Sequence, residues 1–217
     1  MNVIYRRTLP ALLALVAAGC APGDGGESEG TPEASSSDTT ATAIPDMTPT
    51  VIMETTMGRL VIELDRERAP ASVDNFLRYV RGKFYDGLIF HRVEPRLVQA
   101  GLYTPDRQQR TLRSAVPVVN EAENGLKNVR GAIAMARTTN PHSATYQFFI
   151  DVADNPSFDF TEKTVRGWGY AVFGHITEGM DVLDALVKVP TTRQGSFQAP
   201  VDPVVIERAY VADEGGN

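Results

Sequence analysis

Apolar side chains recur along this chain in two rhythms, and together they lay out most of its elements. At 51–65, VIMETTMGRLVIELD alternates about a polar break and predicts two strands around a tight turn at Thr56–Gly58. Over Pro70–Arg81, the residues Val73, Phe76, Leu77 and Val80 fall at i, i+3, i+4 and i+7, one face of a helix. LIFHRV (88–93), RLVQAG (96–101), GAIAMAR (131–137), YQFFIDV (146–152) and YAVFGHI (170–176) are short apolar runs bounded by turn residues, and read as strands. A second helix at Gly179–Val187 puts Met180, Leu183, Leu186 and Val187 on one face, and PVVIERAYVA (203–212) is a closing strand. Eight strands and two well-separated helices predict a mainly β domain: a closed eight-stranded antiparallel barrel capped by two α-helices. Periodicity alone leaves a sandwich nearly as good. No internal repeat is present.

The first fifty residues break this pattern. Arg6-Arg7 precede LPALLALVAAG, a basic start and an apolar run of about ten residues, too short to span a bilayer. The run ends on Cys20, the only cysteine. Small residues followed by Cys resemble a bacterial lipobox, although Ala17 stands where Leu is commoner. Residues 1–19 are therefore expected to be a lipoprotein signal peptide, and Cys20 the acylated mature N-terminus. The residues flanking Arg6-Arg7 fit twin-arginine export poorly. Residues 21–49 are mostly Gly, Ser, Thr, Glu, Asp, Pro and Ala, too poor in apolar surface to offset ordering entropy. With Cys20 they form an expected disordered tether, 20–49, able to span roughly 30 Å. The folded domain is expected over 50–213, with a flexible tail at 214–217.

Composition narrows the function. The formal charge of -6 becomes -8 once the leader carrying Arg6 and Arg7 is removed, which argues against nucleic acid as a partner. The three histidines, His91, His142 and His175, form no HxH or HExxH pair, and no cysteine is left for a zinc site, a disulfide or a thiol nucleophile. There is no GxSxG elbow and no phosphate-binding glycine loop after a strand. No metal and no cofactor are expected. What remains is a reaction that needs only a shaped apolar pocket and one or two hydrogen-bond donors. Arg92, set among Ile89, Phe90 and Val93, is conspicuous in that light, because a buried charge must reach water or serve a purpose.

FHRV at 90–93, NEAENGLKNVRGAIAMART at 120–138, HSATYQFFIDVADN at 142–155 and GWGYAVFGHITEGMDVLD at 167–184 resemble the bacterial cyclophilins in order and spacing, as does the APASVDNFL helix at 69–77. The resemblance covers residues 50–212. It implies an eight-stranded barrel capped by two helices, which settles the choice against a sandwich, and peptidyl-prolyl cis-trans isomerase activity on proline-containing polypeptides, without a cofactor. It further implies Arg92 as the catalytic arginine, Gln99 beside it, and Phe149 as floor of the proline pocket with Gln147 two residues earlier on the same face. Leu97 and Val98 would line the pocket wall. Met135, Ala136 and Arg137 would pair through their main chain with an extended peptide. Phe158 and Tyr170 fall at two further pocket positions.

Two departures stand out. Ser157 occupies a position where many relatives carry Trp or Phe, which implies weak cyclosporin binding; Trp168 belongs to the GWGY run and reads as a loop anchor. Gln99 follows Arg92 by seven residues where the family has eight. A one-residue slip inside a strand would turn side chains to the opposite face, whereas a loss in the Glu94–Arg96 turn would not. The smaller Leu97 and Val98 suggest a looser wall. A proline-binding module with weakened catalysis is the competing reading. The expected location is the cell envelope, lipid-anchored and facing the periplasm, with the outer membrane favoured because Ala21 rather than Asp follows the cysteine. A domain of about 165 residues needs no partner to bury a core, so a monomer is expected.

Overall fold

A computed structural model describes residues 46–214; the leader, Cys20 and the tether up to residue 45 lie outside the described residues. In chain order the elements are β1 (Thr50–Thr55), β2 (Gly58–Leu64), α1 (Pro70–Arg81), β3 (Arg92–Glu94), β4 (Leu97–Ala100), β5 (Ala132–Met135), β6 (Phe148–Asp151), β7 (Val172–Glu178), α2 (Met180–Val187), β8 (Thr191–Gln194), β9 (Phe197–Pro200) and β10 (Ile206–Val211). Both helices and all eight expected strands are present.

Eight strands form one antiparallel sheet in the order β10-β1-β2-β7-β5-β6-β4-β3. It is an open, curled sheet, not the closed barrel expected, because β3 and β10 at its edges do not pair as a ladder. The reason is the brevity of β3, which begins only at Arg92. The segment before it laces the edges instead: Phe90 donates its N–H to the Val204 carbonyl (3.0 Å), and Ile206 donates to Leu88 (2.7 Å). Alternation explains the strands. Val51 and Met53 of β1 and Leu60, Ile62 and Leu64 of β2 all turn inward and are buried.

The helix α1 closes over the concave face. Its predicted stripe of Val73, Phe76, Leu77 and Val80 is fully buried, and the Phe76 ring meets Tyr85, Phe148 and Phe173 at centroid distances of 5.2–5.5 Å. No side chain of its own caps α1. The Glu121 carboxylate, from the loop before β5, accepts hydrogen bonds from the Ala71 and Ser72 N–H groups at 3.0 and 2.8 Å. It supplies both the missing acceptors and a negative charge at the helix N-terminus.

The hairpin β8–β9 escapes the hydrophobic pattern, because β8 is polar and largely exposed. It is tied down from outside: Arg107 donates to the Gln194 side chain (2.6 Å) and the Pro200 carbonyl (2.9 Å), and the Gln198 N–H donates to Glu94 of β3 (3.1 Å).

At the end of β6, Asp151 is fully buried. Its Oδ1 accepts from Asn155 Nδ2 (2.5 Å), while Oδ2 has no partner among the described residues. Burial pushes this carboxyl up to about 7, with the Asn155 hydrogen bond opposing. The fold thus favours the protonated form. That stabilisation is complete below the unfolded value of about 4 and is lost as pH rises through about 7. Asp151→Asn should flatten this dependence. Urea midpoints at pH 5.5 and pH 8 should show the wild type losing more stability than the variant across the interval. His91 titrates equally in both proteins and cancels. Parallel behaviour of the two would refute the assignment.

Candidate active site

The site is built from strand register. In the β3–β4 hairpin Arg92 stands opposite Gln99, Val93 opposite Val98 and Glu94 opposite Leu97. The turn is therefore only Pro95-Arg96, and residues seven apart meet directly. Across β4 and β6 Gln99 pairs with Phe149, Phe149 pairs with Ala134 of β5, and Ala134 pairs with Val172 of β7. Arg92, Gln99, Phe149, Ala134 and Val172 form one row across five strands, on the convex face. Val93, Val98, Ile150 and Ile133 form the next row and point into the core.

Each member of the outer row is held in place. Gln99 Nε2 donates to Gln147 Oε1 at 3.0 Å, so Gln147 does share the site. The Arg92 side chain is 37% exposed, and its Nε lies 3.5 Å from Glu94 Oε1. That carboxylate also takes the Gln198 N–H, so the hairpin β8–β9 sets where Arg92's acidic neighbour sits. Behind them His91 is buried, and its imidazole is lowered to about 4 by burial and, secondarily, by the Arg92 charge. At neutral pH it is uncharged, which leaves Arg92 as the cation of this corner.

Phe149 lies at the centre of a small apolar cluster, separate from the main core, with Leu97, Ala132, Ala134 and Val172. The Phe158 and Tyr170 rings stand edge-on to it at 5.8 and 5.3 Å, and Ala136 packs at the margin. The loop bearing these rings is pinned by Gly169. With φ at +62°, a Cβ there would meet the Phe158 carbonyl at 2.4 Å, a contact no side chain tolerates. The Tyr170 N–H donates to that same carbonyl (2.8 Å). Arg137 lies over the Tyr170 ring, its Cζ 4.7 Å from the centroid. Trp168 packs on His142 and Phe160, as a loop anchor should.

Two expectations are corrected. Val98 does not line the pocket wall; it is fully buried in the main core, because regular alternation turns it away from Leu97 and Gln99. Met135 likewise faces the core opposite Phe148. The Met135 and Ala136 N–H groups are already bonded to the Ala171 and Gln147 carbonyls, both at 3.0 Å, so neither is free to pair with a peptide. Leu97 and Phe149 are 6% and 2% exposed. Sequence reasoning missed Glu94. The signal was there, since Arg92 and Glu94 alternate on one strand and must share a face.

A second cavity of about 560 Å³, bordered by Glu63, Asp65, Glu67 and His175, reaches Ala132 and Val172 at the far side of the Phe149 cluster but includes none of Arg92, Gln99 and Phe149. No cluster of three metal-ligating side chains occurs among the described residues.

The family model for cyclophilin type peptidyl-prolyl cis-trans isomerases matches residues 50–211. The chain belongs to the cyclophilins. It is 52% identical over 164 residues to the peptidyl-prolyl cis-trans isomerase cyp18 of Streptomyces antibioticus, covering 75% of this chain and 98% of that one. It is 45% identical over 165 residues to peptidyl-prolyl cis-trans isomerase B of Escherichia coli K12, covering 75% and 99%. At 23% identity the fold is shared with a Cryptosporidium parvum cyclophilin, with a TM-score of 0.60 over 76% of this chain and 97% of the other. This cyclophilin is thus an enzyme of the peptidyl-prolyl isomerase class, and its outer row of polar and aromatic residues lies wholly within the matched region.

Proposed function

We propose that this cyclophilin isomerises X-Pro bonds with Arg92 as the catalytic donor. A peptide bond resists rotation by roughly 18–20 kcal/mol because nitrogen and carbonyl share electrons. At the twist the prolyl nitrogen regains its lone pair and becomes a hydrogen-bond acceptor. A guanidinium donating to it stabilises the twisted state more than either planar state, and each ~1.4 kcal/mol gained is about tenfold in rate. Phe149, with Leu97, Phe158 and Tyr170, receives the proline ring, and Gln99, oriented by Gln147, contacts the substrate backbone. Nothing covalent forms. The observation that carries the reading is the register that sets Arg92, Gln99 and Phe149 in one row. A solved cyclophilin with 23% identity and a TM-score of 0.59 is described as crystallised in the presence of the dipeptide Ala-Pro, in keeping with a proline-sized site on this fold.

In a protease-coupled assay on an Ala-Pro peptide, Arg92→Ala should lower kcat/KM by about 10²–10³-fold, the scale of losing one transition-state donor. Its urea midpoint should stay near that of the wild type, since the side chain is partly solvated. A variant as active as the wild type would remove Arg92 from the mechanism, and equal background rates for both would favour a binding module.

We propose further that the enzyme serves folding proteins in the cell envelope, held by lipid on Cys20 and facing the periplasm. The basic-apolar leader and the small residues before Cys20 support this. No helix among the described residues is long and apolar enough to cross a membrane. Labelled fatty acid should enter the wild type, and Cys20→Ser should move the protein from the membrane to the soluble fraction. A variant that remains membrane-bound would refute the lipid anchor.

A further inference from the structure

Beyond the Phe149 floor, on the side away from Arg92, the surface opens into a cavity of about 580 Å³. Phe158 and Tyr170 form its inner wall, so it adjoins the proposed proline site. Its rim carries two guanidinium groups, Arg137 and Arg166, and no carboxylate. Ser157, small and exposed, and Val165, 61% exposed, complete an open entrance.

The two arginines are differently prepared for a ligand. Arg137 is fixed: Nε donates to the Gly169 carbonyl (2.9 Å), Nη1 donates to the Thr138 carbonyl (3.0 Å), and the group stacks on Tyr170. Its Nη2 has no hydrogen-bond partner among the described residues. Arg166 is exposed and forms no ion pair among them. The nearby acids are otherwise engaged. Asp159 accepts from the Asn128 N–H (2.8 Å) and faces Lys127, Glu123 pairs with Lys163 (2.8 Å), and Glu162 accepts from the Thr164 hydroxyl (3.2 Å). A rim of two guanidinium groups and no carboxylate, on a chain of formal charge -6, is a local reversal of sign.

We propose that this cavity is a subsite for an acidic side chain flanking the client's proline, so that the enzyme prefers proline segments with Asp or Glu close by. The idea rests on the isomerase reading and specifies its substrate class. The reach is right. The cavity wall lies 5–6 Å from the Phe149 ring, and an extended chain advances about 3.3–3.6 Å per residue. A carboxylate within two residues of proline can therefore reach the cavity that Arg137 and Arg166 border. A guanidinium pinned in place loses little freedom on pairing, and its fork suits a carboxylate.

The test uses the full-length protein and protease-free NMR exchange spectroscopy on Ala-Pro peptides. Glu, Gln or Lys is placed one or two residues before or after the Ala-Pro pair. At one or more positions kcat/KM should be about two- to fivefold higher for Glu than for Gln, the size of an exposed ion pair, with Lys below Gln. The advantage should vanish in about 1 M salt, where the Debye length is about 3 Å. Arg166→Gln should reduce the advantage and leave the rate on the Gln peptide unchanged. Equal rates for Glu, Gln and Lys at all positions would overturn the subsite, as would an Arg166→Gln variant that keeps the full preference. Failure to accelerate exchange of any peptide, Gln included, would overturn the underlying isomerase reading instead.

Discussion

Antiparallel pairing of β3 with β4 sets Arg92 against Gln99 across a turn of only two residues, and the rest of the site depends on that register. From it the ladder continues through Phe149 and Ala134 to Val172, so one convex row carries a cation, an amide and an aromatic floor. The row beneath it is wholly apolar and belongs to the core. Alternation makes the two inseparable: the same hydrogen bonds that bury Val93, Val98 and Ile150 present Arg92, Gln99 and Phe149 outward. A slip of one residue would exchange the rows and bury the guanidinium. Stability of the core therefore enforces the geometry of the site.

Charge around that row is sparing. The imidazole next to Arg92 is buried and neutral near pH 7, and the acid beside it, Glu94, is shared with the Gln198 N–H of the β8–β9 hairpin. A hairpin outside the main sheet thus reaches the guanidinium through one carboxylate. Glu94 lies on the Nε side of Arg92 at 3.5 Å, a loose contact that leaves the amino groups at the fork's end without a hydrogen-bond partner among the described residues. At the other end of the row, the Gly169 turn brings Phe158 and Tyr170 onto Phe149, and Tyr170 in turn supports Arg137.

The sequence made much of this legible through period. Strands and helices with strong apolar rhythm, such as Leu60-Ile62-Leu64 and the α1 stripe, appear where the pattern places them. The β8–β9 hairpin was silent because its partners are the Arg107 guanidinium and a side chain from β3, which leave no apolar signature. Arg92, Gln99 and Phe149 came from resemblance, and only register shows that they share a face. Val98 went the wrong way for a related reason: a position matched by resemblance says nothing of which side an alternating strand shows, and the pattern is equally silent on the Met135 and Ala136 N–H groups being taken by the Ala171 and Gln147 carbonyls. Sheet closure was also beyond the pattern, since it turns on how few residues of β3 can pair.

The most direct test of the account is an NMR titration of the full-length protein with an Ala-Pro peptide, following the Arg92 Nε–H, the Gln99 side-chain amide and the Phe149 ring. One shared row predicts that all three signals shift along a single binding curve, while Val98 and Met135 methyl signals move little. Saturable binding that leaves Arg92 and Phe149 unmoved would contradict it.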